Sequence, residues 1–105
     1  MGLGAELLDA ALRLAPSVDA LFFCNDDIAQ GALLEALRRG IRVPQQIAIA
    51  GFNDLPGSDQ MVPPLTTIRT PRGHIGTEGA RMLLQLMRGE ALPLHSLDLG
   101  YELVV

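Results

Sequence analysis

Three consecutive polar residues, Asn25, Asp26 and Asp27, stand where a short apolar stretch gives way to a helical pattern. In an open α/β sheet, small molecules bind outside the carboxyl ends of the strands. Amide and carboxylate side chains at such a place offer hydrogen-bond donors and acceptors to a ligand. This turn therefore predicts a binding edge for a small polar molecule.

The sequence contains no motif of an assembled reaction centre. It has no glycine-rich phosphate loop, no nucleophile elbow and no His-Glu metal motif. Cys24 is the single cysteine and lies inside an apolar stretch, which predicts a packed thiol rather than a nucleophile. His74 and His95 show no metal-ligand spacing with it. We therefore expect no catalysis, no metal site and no cofactor.

Two strands and a helix are predicted to position the polar turn. Residues 20–24 form a short apolar run typical of a strand buried on both faces by helices. Asn25 can cap a helix over 26–39, and the two aspartates that follow it favour the positive end of the helix dipole. Residues 46–51 return as a second strand, which is parallel to the first because a crossover helix lies between them.

The rest of the chain continues an α/β pattern. It predicts a helix over 4–14, a strand over 65–69, a helix from a Thr70 cap and Pro71 to Gly89, and a last strand over 97–105. The third helix carries a predicted buried stripe of Ile75, Met82, Leu83, Leu86 and Met87. The loop over 51–64 is long enough to be functional.

Composition narrows the class of protein. With 105 residues, of which 49% are apolar, the chain can form one small α/β domain with an aliphatic core. Its net charge of -4 argues against a face that grips nucleic acid. No apolar run approaches the roughly 20 residues of a membrane span, and the start lacks a secretion pattern, so we expect a cytoplasmic location. A parallel α/β unit normally has a strand before its first helix, which predicts that this is the later portion of a larger protein.

The stretch CNDDIAQGALLEALRRGIRVPQQIAIAGFND, followed by PPLTTIRTPRGHIG, resembles the carboxyl-terminal part of LacI/GalR-family transcriptional repressors. The resemblance covers essentially the whole chain, and the TPR stretch with the closing LDLGYELVV is most similar to the gluconate-repressor branch. It implies a type I periplasmic-binding-protein-like fold, in which two α/β lobes surround a sugar cleft behind a helix-turn-helix domain. We expect residues 1–68 to form part of the carboxyl-terminal lobe and residues 69–105 to form the crossover, the last helix and the last strand. The DNA-binding domain is expected to be absent.

The resemblance also implies ligand contacts. Asn25 and Asn53 match positions that contact the ligand in the family, and Asp54 keeps the family's acidic character next to them. Thr70 and Arg72 fall where the chain crosses between the lobes and where the family often places cleft residues. The family usually has Asp at the position of Asn53, so the neutral amide suits an acidic or less hydroxyl-dense ligand. An Arg72 fork could hold a carboxylate bidentately.

Each of these residues also has a structural interpretation. Asn25 could be only a helix cap, and Asn53 with Asp54 could make an Asx-type turn. Arg72 could be a solvated residue of the first helical turn. On the sequence alone, both interpretations stay open for each residue.

A dimer interface is implied by the same resemblance. The family places the helix over 26–39 and the end of the following loop at its dimer interface. The matching residues are Gln30, Leu33, Leu34 and Met61. The two leucines and Met61 could also be ordinary core.

These observations favour the non-enzymatic, ligand-sensing part of a repressor. It would bind a sugar or a sugar acid such as gluconate and form a homodimer or a higher oligomer. Operator DNA would be reached only through a domain outside this chain. The alternative is a secreted sugar-binding protein of a transporter, built on the same fold. An α/β enzyme, such as a sugar isomerase or a kinase lobe, would need a phosphate loop or a metal cluster.

Overall fold

The computed structural model describes all residues from Met1 to Val105 and divides them into two compact units. The first unit holds Met1–Arg69 and Leu103–Val105, and the second holds Thr70–Glu102. The helices are α1 (Gly2–Leu14), α2 (Asp26–Arg38) and α3 (Arg72–Met87). The strands are β1 (Ala20–Phe22), β2 (Ala48–Ala50), β3 (Thr67–Arg69) and β4 (Glu102–Val104), and Ser58–Gln60 form a 3-10 turn.

The sheet of the first unit has the predicted parallel crossover. β1 pairs with β2 in parallel, with Leu21 opposite Ile49, and α2 lies between them in the chain. A parallel bridge between Ala50 and Thr66 leads from β2 to the start of β3. β3 in turn pairs with β4. The carboxyl ends of β1 and β2 therefore lie at the same edge of the sheet.

An aliphatic core fixes α2 against the sheet and against α1. Its buried members are Leu8, Phe23, Ala29, Ala32, Leu33, Ala36, Ile47, Ile49 and Leu65. The two helices cross closely at Gly4, where a Cβ atom would lie 1.9 Å from the carbonyl oxygen of Ile28. A side chain at position 4 would therefore force the helices apart.

The predicted burial of β1 on both faces is wrong. Ala20 is exposed, Leu21 is half-buried and 66% of Phe22 is exposed. The reason is that α1 packs on α2 and α2 packs on β2, so neither helix of this unit covers the opposite face of the sheet. Cys24 is exposed as well, which overturns its prediction as a packed thiol.

The second unit contains α3 near its predicted position, but the helix has no buried residue. Ile75, Leu83 and Leu86 are each about half exposed, and Met87 is 74% exposed. The predicted buried stripe is wrong because the unit contains no second helix and no complete strand against which to bury it. The Thr70 cap is also wrong, since Pro71 is the N-cap residue and makes no side-chain capping bond.

None of the three helices combines the length and the apolar character that a membrane span requires.

Candidate functional site

The polar turn lies at the carboxyl edge of the β1–β2 pair. Asn25 caps α2, because its Oδ1 atom accepts a hydrogen bond of 2.9 Å from the Ile28 amide. The Asp26 amide donates to the Phe52 carbonyl at 3.0 Å, which draws the start of α2 to the segment after β2. The predicted cap is confirmed, and ligand contact by Asn25 stays a prediction.

Asn53 and Asp54 form a left-handed turn beside this cap. Their φ angles are 96° and 49°. Positive φ angles are uncommon in residues other than glycine, although Asn and Asp adopt them more readily than other residues do. The Asn53 amide donates to the Ile68 carbonyl at 2.8 Å, and the Asp54 amide donates to Thr67 Oγ1 at 3.2 Å. Backbone held in a sparsely populated conformation is often found at ligand sites. The two neighbouring residues are therefore a candidate recognition element, which we call the 53–54 turn.

Asp54 has a cationic partner that sequence reasoning missed. Arg69 Nε donates to Asp54 Oδ2 at 2.6 Å, and 55% of the Arg69 side chain is exposed. Arg69 follows Thr67 by two residues in β3, so both side chains leave the strand on the same face. The alternation of side chains along β3 can be predicted from the sequence, but the pairing of Arg69 with Asp54, 15 residues away, cannot. The positive charge of Arg69 balances the negative charge of Asp54, so the 53–54 turn has no excess of negative charge.

Asp26 is the centre of a buried hydrogen-bond network rather than a helix-dipole residue alone. It is fully buried, and its carboxylate accepts bonds from the Leu55 amide at 2.8 Å, from Ser58 Oγ at 2.5 Å and from Thr67 Oγ1 at 2.6 Å. Carboxylates with several donors are held firmly in a dry interior. Asp26 therefore ties α2 to the loop after β2 and to β3. Asp27, with the same local sequence signals, is exposed.

The predicted dimer residues divide between the interior and the surface. Gln30 is buried and donates to Ser58 Oγ at 3.0 Å and to the Pro56 carbonyl at 3.2 Å. Leu33 is also buried, whereas 45% of Leu34 is exposed and Met61 is half-buried. Leu34 is therefore the exposed member of the predicted set.

Thr70 and Arg72 belong to the second unit. Thr70 is half-buried and Arg72 is exposed, and the Arg72 amide donates to the Thr70 carbonyl at 2.8 Å. The structure brings Asn25, Asn53 and Asp54 together within the first unit. The roles of Thr70 and Arg72 at a ligand stay predictions.

A cavity of about 500 Å³ borders the β1–β2 pair, and none of these polar residues lines it. Its lining is mostly apolar and includes Phe22, Val43, Ile49 and Pro63. No group of three or more His, Cys, Asp or Glu side chains could hold a metal ion. The polar edge is therefore the better candidate for a hydrophilic ligand.

The fold and the match to a family model together define the class of protein. Residues 2–105 match the periplasmic binding protein-like domain family, and the chain belongs to it. Within that class, it corresponds to the effector-binding part of LacI-family transcriptional regulators. The predicted fold class and the predicted resemblance to LacI-family regulators are confirmed.

Individual relatives agree with this assignment. The HTH-type transcriptional regulator GntR of Pseudomonas aeruginosa is 58% identical over 104 residues, which are 99% of this chain and 30% of that protein. IdnR of Escherichia coli K12 is 44% identical over 101 residues, or 96% of this chain and 30% of that protein. The chain thus spans about 30% of the length of these curated relatives. Both are transcriptional regulators, not enzymes.

Solved structures show the same likeness. The transcription regulator GntR from Chromobacterium violaceum has a TM-score of 0.88 and 50% identity, covering 99% of this chain and 38% of that one. The regulator CelR, solved in complex with cellobiose, has a TM-score of 0.87 and 32% identity, covering 97% of this chain and 31% of that one.

Proposed function

We propose that the protein is a transcriptional regulator that senses a sugar or a sugar acid through the polar edge formed by Asn25 and the 53–54 turn. The observation that carries this proposal is the 58% identity to a regulator over 99% of the chain. The effector changes the balance between two arrangements of the protein by binding one of them more tightly. Operator DNA is bound by a part of the protein outside these residues, and the protein acts in the cytoplasm as a homodimer or a higher oligomer.

A sugar acid such as gluconate is the proposed effector. The cellobiose complex of CelR supports a carbohydrate ligand in this class. The amide of Asn53 brings no negative charge, and the carboxylate of Asp54 is paired with Arg69. An anionic ligand therefore meets little repulsion at the 53–54 turn. Arg72 of the second unit is a proposed ligand residue by itself, since its guanidinium can pair with a carboxylate.

Calorimetry on the full-length protein tests the choice of effector. We expect gluconate to bind more tightly than glucose or cellobiose under the same conditions. Tighter binding of either neutral sugar would overturn the sugar-acid assignment. If none of the three binds, the proposed effector class is wrong.

A DNA-binding assay tests the regulatory activity. The full-length protein should select an operator from a library of random duplex DNA, and the effector should alter the midpoint of a titration with that operator. The 105-residue chain alone should give no sequence-selective shift at low salt, because its net charge is -4. A selective shift by this chain alone would contradict the proposal that operator DNA is bound by a part of the protein outside these residues.

A further inference from the structure

Thr67 occupies a buried position between the Asp26 carboxylate and the 53–54 turn. It is 1% exposed, and its Oγ1 atom donates to Asp26 Oδ1 at 2.6 Å. The same oxygen accepts from the Asp54 amide at 3.2 Å. A hydroxyl has one proton, so donation to the carboxylate leaves its lone pairs for the amide. Asp26 therefore orients the Thr67 hydroxyl so that it acts as an acceptor toward the Asp54 amide.

We propose that Thr67 is a positioning residue that holds the 53–54 turn in its left-handed conformation for the ligand. The inference rests on the proposed function, because Asn53 and Asp54 are its candidate ligand contacts. Thr67 Oγ1 contacts the turn at the Asp54 amide, and Thr67 acts on the ligand through that turn.

The hydrogen bonds of three consecutive amides carry this proposal. The Asn53 amide is held by the Ile68 carbonyl, the Asp54 amide by Thr67 Oγ1 and the Leu55 amide by Asp26 Oδ2. Two of these three acceptors therefore belong to the Asp26–Thr67 pair. Only the first is an ordinary backbone carbonyl, so the conformation of Asp54 depends on a side chain.

Ser58 offers a matched control on the same carboxylate. It is also 1% exposed and donates its hydroxyl proton to Asp26, at 2.5 Å. Its Oγ atom accepts from the Gln30 side chain rather than from the 53–54 turn. Thr67→Val and Ser58→Ala each remove one buried hydrogen bond to Asp26, but only the first releases the amide of Asp54.

The test combines calorimetry with gluconate and hydrogen exchange of the peptide that contains Asp54, both on the full-length protein. Thr67→Val should weaken gluconate binding about tenfold and speed the exchange of that peptide. Ser58→Ala should change the affinity less than about twofold, although both variants lower the unfolding midpoint. Thr67→Ser keeps the hydroxyl and should restore both the affinity and the protection.

Two results would overturn the proposal. One is equal exchange of the Asp54 peptide in Thr67→Val and Ser58→Ala, and the other is faster exchange in Thr67→Val with unchanged gluconate affinity. If the unmodified protein binds no gluconate, the sugar-acid assignment fails. The exchange comparison then still decides whether Thr67 holds the turn.

Discussion

Asp26 Oδ1 occupies the space that a side chain on Gly51 would need. A Cβ atom at position 51 would lie 2.3 Å from that oxygen and 3.2 Å from Asp26 Cα. Gly51 follows β2 directly, and Asp26 is the first residue of α2. The missing side chain therefore lets the start of α2 come close enough to the sheet for Asp26 to reach Thr67.

Gly51→Ala should destabilise the protein by about 1–3 kcal/mol, because the added methyl group overpacks a buried site. Gly76→Ala is a matched control, since Gly76 lies inside α3 and a Cβ atom at that position would have nothing within 4 Å. That control should leave stability unchanged or raise it by up to about 1 kcal/mol. Urea unfolding measures both changes, and a neutral Gly51→Ala would show that α2 can move away at no cost.

Asp26→Ala should cost at least about 3 kcal/mol, because it leaves two buried hydroxyls and the Leu55 amide without their acceptor. Asp27→Ala removes an exposed carboxylate from the same helical turn and should cost less than about 1 kcal/mol. Chemical denaturation followed by circular dichroism compares the two. Equal losses would mean that the buried network contributes nothing beyond the helix dipole.

The contrast between Asp26 and Asp27 shows what the sequence could not predict. Helix capping by Asn25 depends on residues three positions apart, so local spacing was sufficient. The role of Asp26 depends on Ser58 and Thr67, which lie 32 and 41 residues away. Both aspartates carry the same local signals, and only the tertiary fold decides which one is buried.

Burial was the least predictable property of the fold. The order of helices and strands follows from apolar periodicity, and the structure has that order. Whether an apolar face is covered depends on neighbouring elements, and neither the outer face of β1 nor the stripe of α3 has such a neighbour within its own unit. The apolar pattern of an element predicts which of its faces can be buried. It does not predict which other surface covers that face.

Leu34→Asp should weaken self-association of the full-length protein about tenfold or more, because Leu34 is the exposed member of the predicted interface. Leu33→Asp is unsuitable, since Leu33 is buried and its replacement would test folding instead. Leu14→Asp, which changes an 87% exposed leucine on α1, is the control and should leave association unchanged. Sedimentation velocity over a concentration series measures the dissociation constant. An unchanged constant for Leu34→Asp would remove α2 from the interface.

Asn53→Asp and Arg72→Ala should both weaken the binding of gluconate to the full-length protein. The first places a second carboxylate beside Asp54, whose Oδ2 atom already pairs with Arg69, so the added charge repels an anionic ligand. The second removes a guanidinium that can form a charge-assisted pair with a carboxylate, and should cost about ten- to a hundredfold in affinity.

Arg81→Ala is the control for these two variants, because Arg81 is an exposed arginine of α3 that pairs with Glu78. Its gluconate affinity should equal that of the unmodified protein, which excludes a general effect of positive charge. Calorimetry with gluconate and glucose, in parallel for all variants, gives the comparison. Asn53→Asp should lower the preference for gluconate over glucose, since the repulsion acts only on the acid. If that preference is unchanged, and Arg72→Ala binds gluconate as the unmodified protein does, neither residue recognises the carboxylate.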